Sequence, residues 1–130
     1  MTHFVNAAAV LFVADVPRMR DFYCALGPFA ITSEDTQHAV LSLSGFELVI
    51  HAMRGATVEA DASSPPPARE DSYIKICIPV ASIAEARKTV KRLRGRLKDA
   101  KHEWAARGFR ACDGVDPEGN VFQVREADSE

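Results

Sequence analysis

Asp113 to Glu126 reads Asp-Gly-Val-Asp-Pro-Glu-Gly-Asn-Val-Phe-Gln-Val-Arg-Glu, a pattern that predicts a β-hairpin. Pro117 fixes φ at the second turn position, and Gly119 can adopt the left-handed conformation that closes the turn. Because successive side chains of a strand point to opposite faces, Phe122 should face the core and Gln123 the other side. The last strand is therefore expected to carry a polar face opposite a buried one.

The register of this hairpin sets which side chains become neighbours. A tight turn would place Val115 opposite Asn120. Cys112 would then lie beside Gln123, and Arg110 would lie beside Arg125. An ordinary hairpin with a solvated polar face is the alternative interpretation of the same residues.

Composition excludes several classes of protein. The 130 residues, 47% hydrophobic and 26% charged, are typical of one globular domain. A net charge of −2 gives no reason to expect nucleic acid or an anionic membrane as a partner. The apolar run from Ala7 to Ala14 is too short to span a bilayer, and charged residues follow it at once, so no signal peptide is predicted.

The three cysteines favour a reducing compartment. Cys24, Cys77 and Cys112 are odd in number, widely spaced and mostly placed in apolar segments. Such a pattern is typical of reduced thiols in a cytoplasmic protein and not of a disulfide framework. We therefore expect a cytoplasmic location.

The chain contains one succession of elements twice. Val13 to Val16 corresponds to Val80 to Ile83, 67 positions later, where Asp15 and Ser82 are the expected helix N-caps. Residues 4–54 form the first predicted module, 55–71 a Pro/Ser-containing linker that should be exposed and poorly packed, and 72–126 the second module.

This duplication predicts an α+β fold of two tandem βαβββ modules. In each module an amphipathic helix should cover one face of a four-stranded sheet, while the opposite face curls into an open cleft. The second helix should lie over Ile74, Ile76 and Ile78. The predicted strands are Phe4–Ala14, Phe29–Thr32, His38–Leu43, Phe46–Met53, Ser72–Val80, Arg96–Ala100, Glu103–Gly114 and Asn120–Glu126.

The order of elements, the helix from Asp15 to Gly27 and, above all, the segment from Asp116 to Phe122 resemble the vicinal oxygen chelate superfamily. That superfamily includes glyoxalase, bleomycin-resistance proteins, fosfomycin-resistance enzymes, extradiol dioxygenases and methylmalonyl-CoA epimerase. The resemblance covers nearly the whole chain outside the linker. It implies glyoxalase-like paired modules, a small organic molecule as the ligand and a cleft that is usually completed in a homodimer.

The resemblance also implies where metal ligands would stand, on the first and last strand of each module. Those positions fall on Ala8 and Val49 in the first module and on Lys75 and Gln123 in the second. Alanine and valine offer no donor atom, and an ammonium group repels a divalent cation. We therefore expect no metal and no cofactor at these positions.

Two hypotheses about function remain, and they belong to different classes. The first is a metal-free small-molecule-binding protein of the glyoxalase/bleomycin-resistance type, whose organic ligand could be anionic. The second is a metal-dependent lyase, epimerase or dioxygenase with ligands shifted to Glu47, His51 and Cys112, or an enzyme that uses Lys75 as acid or base. Whether the chain is an enzyme is thus left open.

Lys75 and Gln123 should meet on the open side of the second sheet. There an ammonium beside an amide could receive an acidic group of a ligand. The alternative is that Lys75 pairs with Glu47. The candidate ligand-binding residues are Lys75, Gln123, Cys112, Arg110, Glu47 and His51.

Overall fold

The structure is a computed structural model that describes residues 5–55 and 66–128. The chain divides into two compact units, Met1–Cys24 with Pro28–Glu59 and Ala25–Gly27 with Ala60–Glu130. Each unit contains one helix and one mixed sheet, so the predicted α+β class with two modules is confirmed. In the described residues no helix is long and apolar enough to cross a membrane.

The first sheet has the strand order β1-β4-β3-β2, with β1 parallel to β4 and the other pairs antiparallel. A two-residue turn joins β3 to β4, and both of its residues, Ser44 and Gly45, have positive φ, as a tight hairpin requires. The elements are β1 (Ala7–Val13), α1 (Val16–Leu26), β2 (Ala30–Glu34), β3 (His38–Leu43) and β4 (Phe46–Ala52).

Helix α1 begins where its sequence provides a cap. The backbone N–H of Arg18 donates to Asp15 Oδ1 at 3.1 Å, which satisfies one of the free donors of the first turn. The core of this unit is built from apolar side chains of the helix and of alternate strand positions. Its fully buried members include Val13, Met19, Phe22, Tyr23, Leu41, Leu48 and Ile50.

The second sheet has the order β5-β9-β8-β6, and β7 pairs with the same edge of β8 as β6 does. Strand β5 is parallel to β9, as β1 is to β4. The elements are β5 (Ile76–Pro79), α2 (Ile83–Arg92), β6 (Arg96–Leu97), a 3-10 helix (Ala100–His102), β7 (Trp104–Ala105), β8 (Phe109–Val115) and β9 (Val121–Ala127).

Helix α2 is fixed to its sheet at its N-terminus. Ser82 caps it by accepting from the N–H of Glu85 at 3.1 Å, as predicted. A carboxylate from β9 adds a second cap, because the N–H of Ile83 donates to Glu126 Oε1 at 2.7 Å. The apolar stripe of the helix is buried through Ile83, Ala86 and Val90, facing a sheet that buries Ile78, Cys112, Phe122 and Val124.

The two units repeat each other in register as well as in order. Val10 pairs with Val49 on the parallel neighbour of the first sheet. Cys77, which lies 67 positions after Val10, pairs with Gln123 in the second sheet. Val49 is therefore the counterpart of Gln123, which is the correspondence that the resemblance implies.

Three expectations about the second unit are wrong in detail. The strand predicted over Ser72–Val80 begins only at Ile76, and Ile74 is 75% exposed instead of lying under the helix. The single strand predicted over Glu103–Gly114 is two short strands, because Gly108 at φ +78° allows the chain to reverse between them. The turn consists of Ala106, Arg107 and Gly108 and contains no proline or asparagine that would mark it in the sequence.

The described end of the linker is exposed but not free of contacts. Residues 56–65 lie outside the described part, so the prediction of a poorly packed segment concerns only 66–71 here. The N–H of Arg69 donates to the carbonyl of Gly119 at 2.8 Å, and the carbonyl of Pro67 lies against the same glycine. Residues 66–74, which we call the strap, are therefore attached to the tip of the β8–β9 hairpin.

Candidate functional site

Asp113 joins the two residues that the sequence analysis placed at the centre of the site. Lys75 Nζ lies 2.8 Å from Asp113 Oδ2, and Gln123 Nε2 donates to Asp113 Oδ1 at 3.2 Å. Asp113 and Gln123 are direct partners across β8 and β9, on the face opposite α2. Lys75 and Gln123 thus converge on one side of the sheet, as expected, with a carboxylate between them.

The polar chain continues along β9. The carbonyl Oε1 of Gln123 accepts from Arg125 Nε at 2.7 Å, and the Arg125 guanidinium lies 4.4 Å from the centre of the Phe109 ring. Gln123 is only 7% exposed, so its amide needs partners within the protein. Both its nitrogen and its oxygen have one, and these two bonds hold the amide in one orientation. The four polar residues form a continuous hydrogen-bonded row on the open face.

Two of the predicted neighbours are wrong because the hairpin register differs by one position. Val115 pairs with Val121 and not with Asn120, so Cys112 lies opposite Val124 and Arg110 opposite Glu126. A one-residue slip moves every side chain to the other face of a strand. Cys112 and Arg110 accordingly lie on the helix side, away from Gln123.

The turn itself explains the slip. Five residues, Asp116 to Asn120, separate the strands, one more than the tight turn expected from the sequence. Asp116 Oδ1 accepts from the backbone N–H groups of Glu118 and Asn120, both at 2.9 Å, and the Asn120 amide donates to the same carboxylate. These bonds stabilise the longer loop, which Gly119 completes at φ +90°.

Cys112 belongs to a structural cluster beneath α2. Its thiol donates to the carbonyl of Lys98 at 3.2 Å, and Arg87 donates to the sulfur and, at 2.6 Å, to Glu103 Oε2. Burial raises the pKa of the Cys112 thiol, which keeps it protonated. Arg110 Nε donates to Glu103 Oε1 at 3.4 Å. Neither Cys112 nor Arg110 is placed to contact a ligand on the open face.

A groove of about 450 Å³ opens beside the Lys75–Asp113 pair. The strap forms one wall, the β6 edge forms another, and β8 and β9 form the floor. Its volume lies in the range of small-molecule sites, roughly 300–1,000 Å³. The lining side chains are Ala68, Arg69, Glu70, Ser72, Ile74, Lys75, Arg96, Leu97, Lys98, Asp113, Val115 and Val121.

Glu47 and His51 lie on the open face of the first sheet. Register places Phe12, His51 and His38 in one cross-strand row, where the ring centroids are 5.7 Å apart for Phe12–His51 and 6.3 Å for His51–His38. His51 Nδ1 also lies 2.8 Å from the carbonyl of Ala52. Glu47 lies four positions away on the same strand and face, between Ala8 and Ser42.

The residues at the glyoxalase-type ligand positions do not fit a divalent metal. Ala8 and Val49 have no donor atom, and the Lys75 ammonium is bound to a carboxylate. The alternative metal site that includes Cys112 does not fit the geometry. The Cys112 thiol is buried on the helix side of β8, whereas Gln123 lies on the open face of the sheet. Within 5–55 and 66–128, no group of three His, Cys, Asp or Glu residues is arranged to hold an ion.

Comparison with solved structures shows what kind of fold this is. FosX, the fosfomycin resistance protein of Listeria monocytogenes, complexed with Mn(II) and sulfate, matches with a TM-score of 0.65 and 14% identity over 98% of this chain and 93% of its own. A bleomycin-binding protein complexed with bleomycin matches with a TM-score of 0.57 and 20% identity over 94% and 97%. A glyoxalase/bleomycin resistance protein/dioxygenase family enzyme from Burkholderia phytofirmans matches at 0.61 and 14% over 93% and 97%.

These neighbours are members of the vicinal oxygen chelate superfamily, so the fold inferred from the sequence is confirmed. The chain has the glyoxalase-like fold of two modules, each with one helix and a mixed sheet of four or five strands. No protein-family model and no curated protein sequence matches it. At identities of 14–20% the likeness establishes the fold, and the function has to be argued from this chain's own residues.

Sequence reasoning missed Asp113, Arg96 and the strap. Asp113 was overlooked because the assumed register turned it toward the helix. The Asp116–Asn120 capping pattern was the signal that could have corrected this, since an aspartate that bonds residues two and four positions ahead lengthens the turn. Nothing in the sequence indicated that the strap forms a wall of the groove.

Proposed function

We propose that this chain is a metal-free protein that binds a small organic molecule on the open face of its second sheet. The Lys75–Asp113–Gln123 arrangement carries the proposal. Lys75 and Gln123 occupy the two ligand positions of the second module, and the Asp113 carboxylate ties them to each other at 2.8 and 3.2 Å. The adjoining groove is large enough for a small molecule.

The donor set supports binding without a metal. An ammonium at a ligand position repels a cation, and Lys75 would have to break its 2.8 Å ion pair with Asp113 to make room for one. A carboxylate that already accepts hydrogen bonds on both oxygens would also have to give up its partners. Both steps oppose metal binding.

Elemental analysis of protein purified without chelator tests the metal-free part. We expect far less than one equivalent of any transition metal, and no change in melting temperature on addition of Mn(II) or EDTA. Retention of one metal per chain would overturn it and would favour the metal-dependent lyase, epimerase or dioxygenase.

A thermal-shift screen of small organic acids and neutral analogues, run with and without EDTA, then tests ligand binding itself.

We further propose that the chain forms a homodimer in the cytoplasm. The open face of the first sheet supports self-association, because Val10 and Phe12 of β1 are 51% and 54% exposed. The three unpaired thiols suit a reducing compartment. Sedimentation at micromolar concentration should give the mass of two chains, and a mass of one chain would contradict the proposal.

A further inference from the structure

We propose that the ligand is an amphiphilic organic anion, a molecule with an apolar body and one acidic group, and that Arg69, Arg96 and Lys98 receive the acid. This inference rests on the proposed small-molecule function and assigns the chemistry of its groove. It also moves the anion contact away from Lys75, which the sequence analysis favoured.

The charges around the groove favour an anion. Four cations and two carboxylates line it, and the Lys75–Asp113 pair at 2.8 Å cancels one of each. The groove then retains three cations, Arg69, Arg96 and Lys98, and one carboxylate, Glu70. Among the described residues, none of these three cations takes part in an ion pair. The groove is thus locally positive although the net charge of the chain is −2, so it attracts an anion.

The apolar lining calls for a second property of the ligand. Val115 and Val121 are cross-strand partners on the floor, and Leu97 adds to the edge. Ile74 stands on the opposite wall with 75% of its surface exposed. A ligand with an apolar body would cover Ile74 and gain roughly 25 cal/mol for each Å² removed from water. A small inorganic anion would leave this surface wet.

The wall that carries Arg69 and Ile74 is held in place by the hairpin. The Arg69 N–H bonds to the Gly119 carbonyl at 2.8 Å, and the Ser72 N–H bonds to the Arg69 carbonyl at 3.2 Å. The backbone of the strap is therefore tied to the hairpin at Arg69, which lowers the cost of ordering this wall when a ligand binds.

Anilinonaphthalene sulfonate is a suitable probe, because its aromatic body carries one sulfonate. Its neutral relative N-phenylnaphthylamine lacks the acid and serves as the matched ligand control. Fluorescence titration should give tighter binding of the sulfonate than of the neutral amine, and the difference should shrink as salt is added.

Arg96→Gln tests the anion contact, and Arg92→Gln, on the exposed part of α2, removes the same charge elsewhere. We expect Arg96→Gln to weaken sulfonate binding about fivefold, as loss of an exposed charged contact should, while the neutral amine and the Arg92→Gln variant change little. Ile74→Asp should weaken both probes, and Val5→Asp, at a residue of the first unit that is 97% exposed, should weaken neither.

The outcomes separate this inference from the proposed function. Equal loss of both probes in Ile74→Asp, with no effect of Arg96→Gln, would overturn the anionic class and leave the binding groove intact. If Ile74→Asp has no effect on either probe, the groove is not the binding site, and the inference fails together with the proposed location. Sensitivity of the neutral amine to Arg96→Gln would show a loss of fold and not of charge, and would also count against the assignment.

Discussion

The Lys75 ammonium lies 2.8 Å from the Asp113 carboxylate, although 38 positions separate the two residues in the chain. The pair connects the residue just before β5 to the middle of β8 and crosses β9 at Gln123. The expected alternative partner of Lys75 was Glu47, and the structure assigns Asp113 instead. The pair therefore bridges this sheet across β9 and contributes no net charge to the adjoining groove.

Lys75→Met should lower the free energy of unfolding by about 1 kcal/mol, because it leaves the partly buried Asp113 without its cation. The two side chains are 39% and 18% exposed, so a larger loss is not expected. Urea denaturation of the single variants and of Lys75→Met/Asp113→Asn measures the coupling. Lys88→Met, in a pair exposed at 76% and 72%, is the control and should be neutral. A neutral Lys75→Met would contradict the structural role.

Gly119→Ala should cost more stability than Gly108→Ala. Both glycines have positive φ, +90° and +78°, so alanine is strained at either by about 1 kcal/mol. At Gly119 a Cβ would also lie 2.5 Å from the carbonyl oxygen of Pro67, whereas a Cβ at Gly108 would meet nothing in the described chain within 4 Å apart from its chain neighbours. The extra overpacking should add about 1–3 kcal/mol, measured as the difference between the two denaturation curves. Equal losses would mean that the strap does not pack on the hairpin.

One thiol should react with a disulfide reagent much faster than the other two. Cys77 is exposed on β5, whereas burial raises the pKa of Cys24 and of Cys112 and so lowers their thiolate fraction. A time course with Ellman's reagent should show one fast equivalent, and Cys77→Ser should remove it. Persistence of the fast phase in Cys77→Ser would place the reactive thiol elsewhere.

Asp35 lies in the turn before β3, and its carboxylate should make the free energy of unfolding fall as the pH is lowered. Its pKa is lowered by the backbone N–H of Gln37 at 2.7 Å and that of His38 at 2.9 Å. A group with a depressed pKa stabilises the fold above its unfolded pKa, about 3.9 for aspartate, and that contribution is lost as the pH falls through the folded value. Asp35→Asn should therefore be less stable than wild type at pH 6 and should lose less on acidification. Identical pH profiles would refute this.

The sequence predicted the fold because the signals for it are local. Asp15 and Ser82 cap helices, and the Asp116–Gly119 turn joins two strands, so the order of elements could be derived without knowing any distant contact. The site depends on register, which one residue in a loop changes. That single residue turned Cys112 toward the helix and brought Asp113 beside Gln123. Ion pairs across a sheet, such as Lys75–Asp113, follow from register and could not be derived before it was known.

The matched registers of the two sheets have a consequence for how this chain can change over time. Val10 and its partner Val49 are 39 positions apart, whereas Cys77 and its partner Gln123 are 46 apart. The second copy therefore holds seven additional residues between equivalent points, which are accommodated mostly around its 3-10 helix and β7 without disturbing the parallel pairing. The open face of the first sheet carries rows of valine, phenylalanine and histidine side chains. The equivalent face of the second sheet carries the polar row that includes Lys75, Asp113 and Arg125. A substitution on the open face of one sheet therefore changes a row of side chains that has no chemical equivalent on the other sheet.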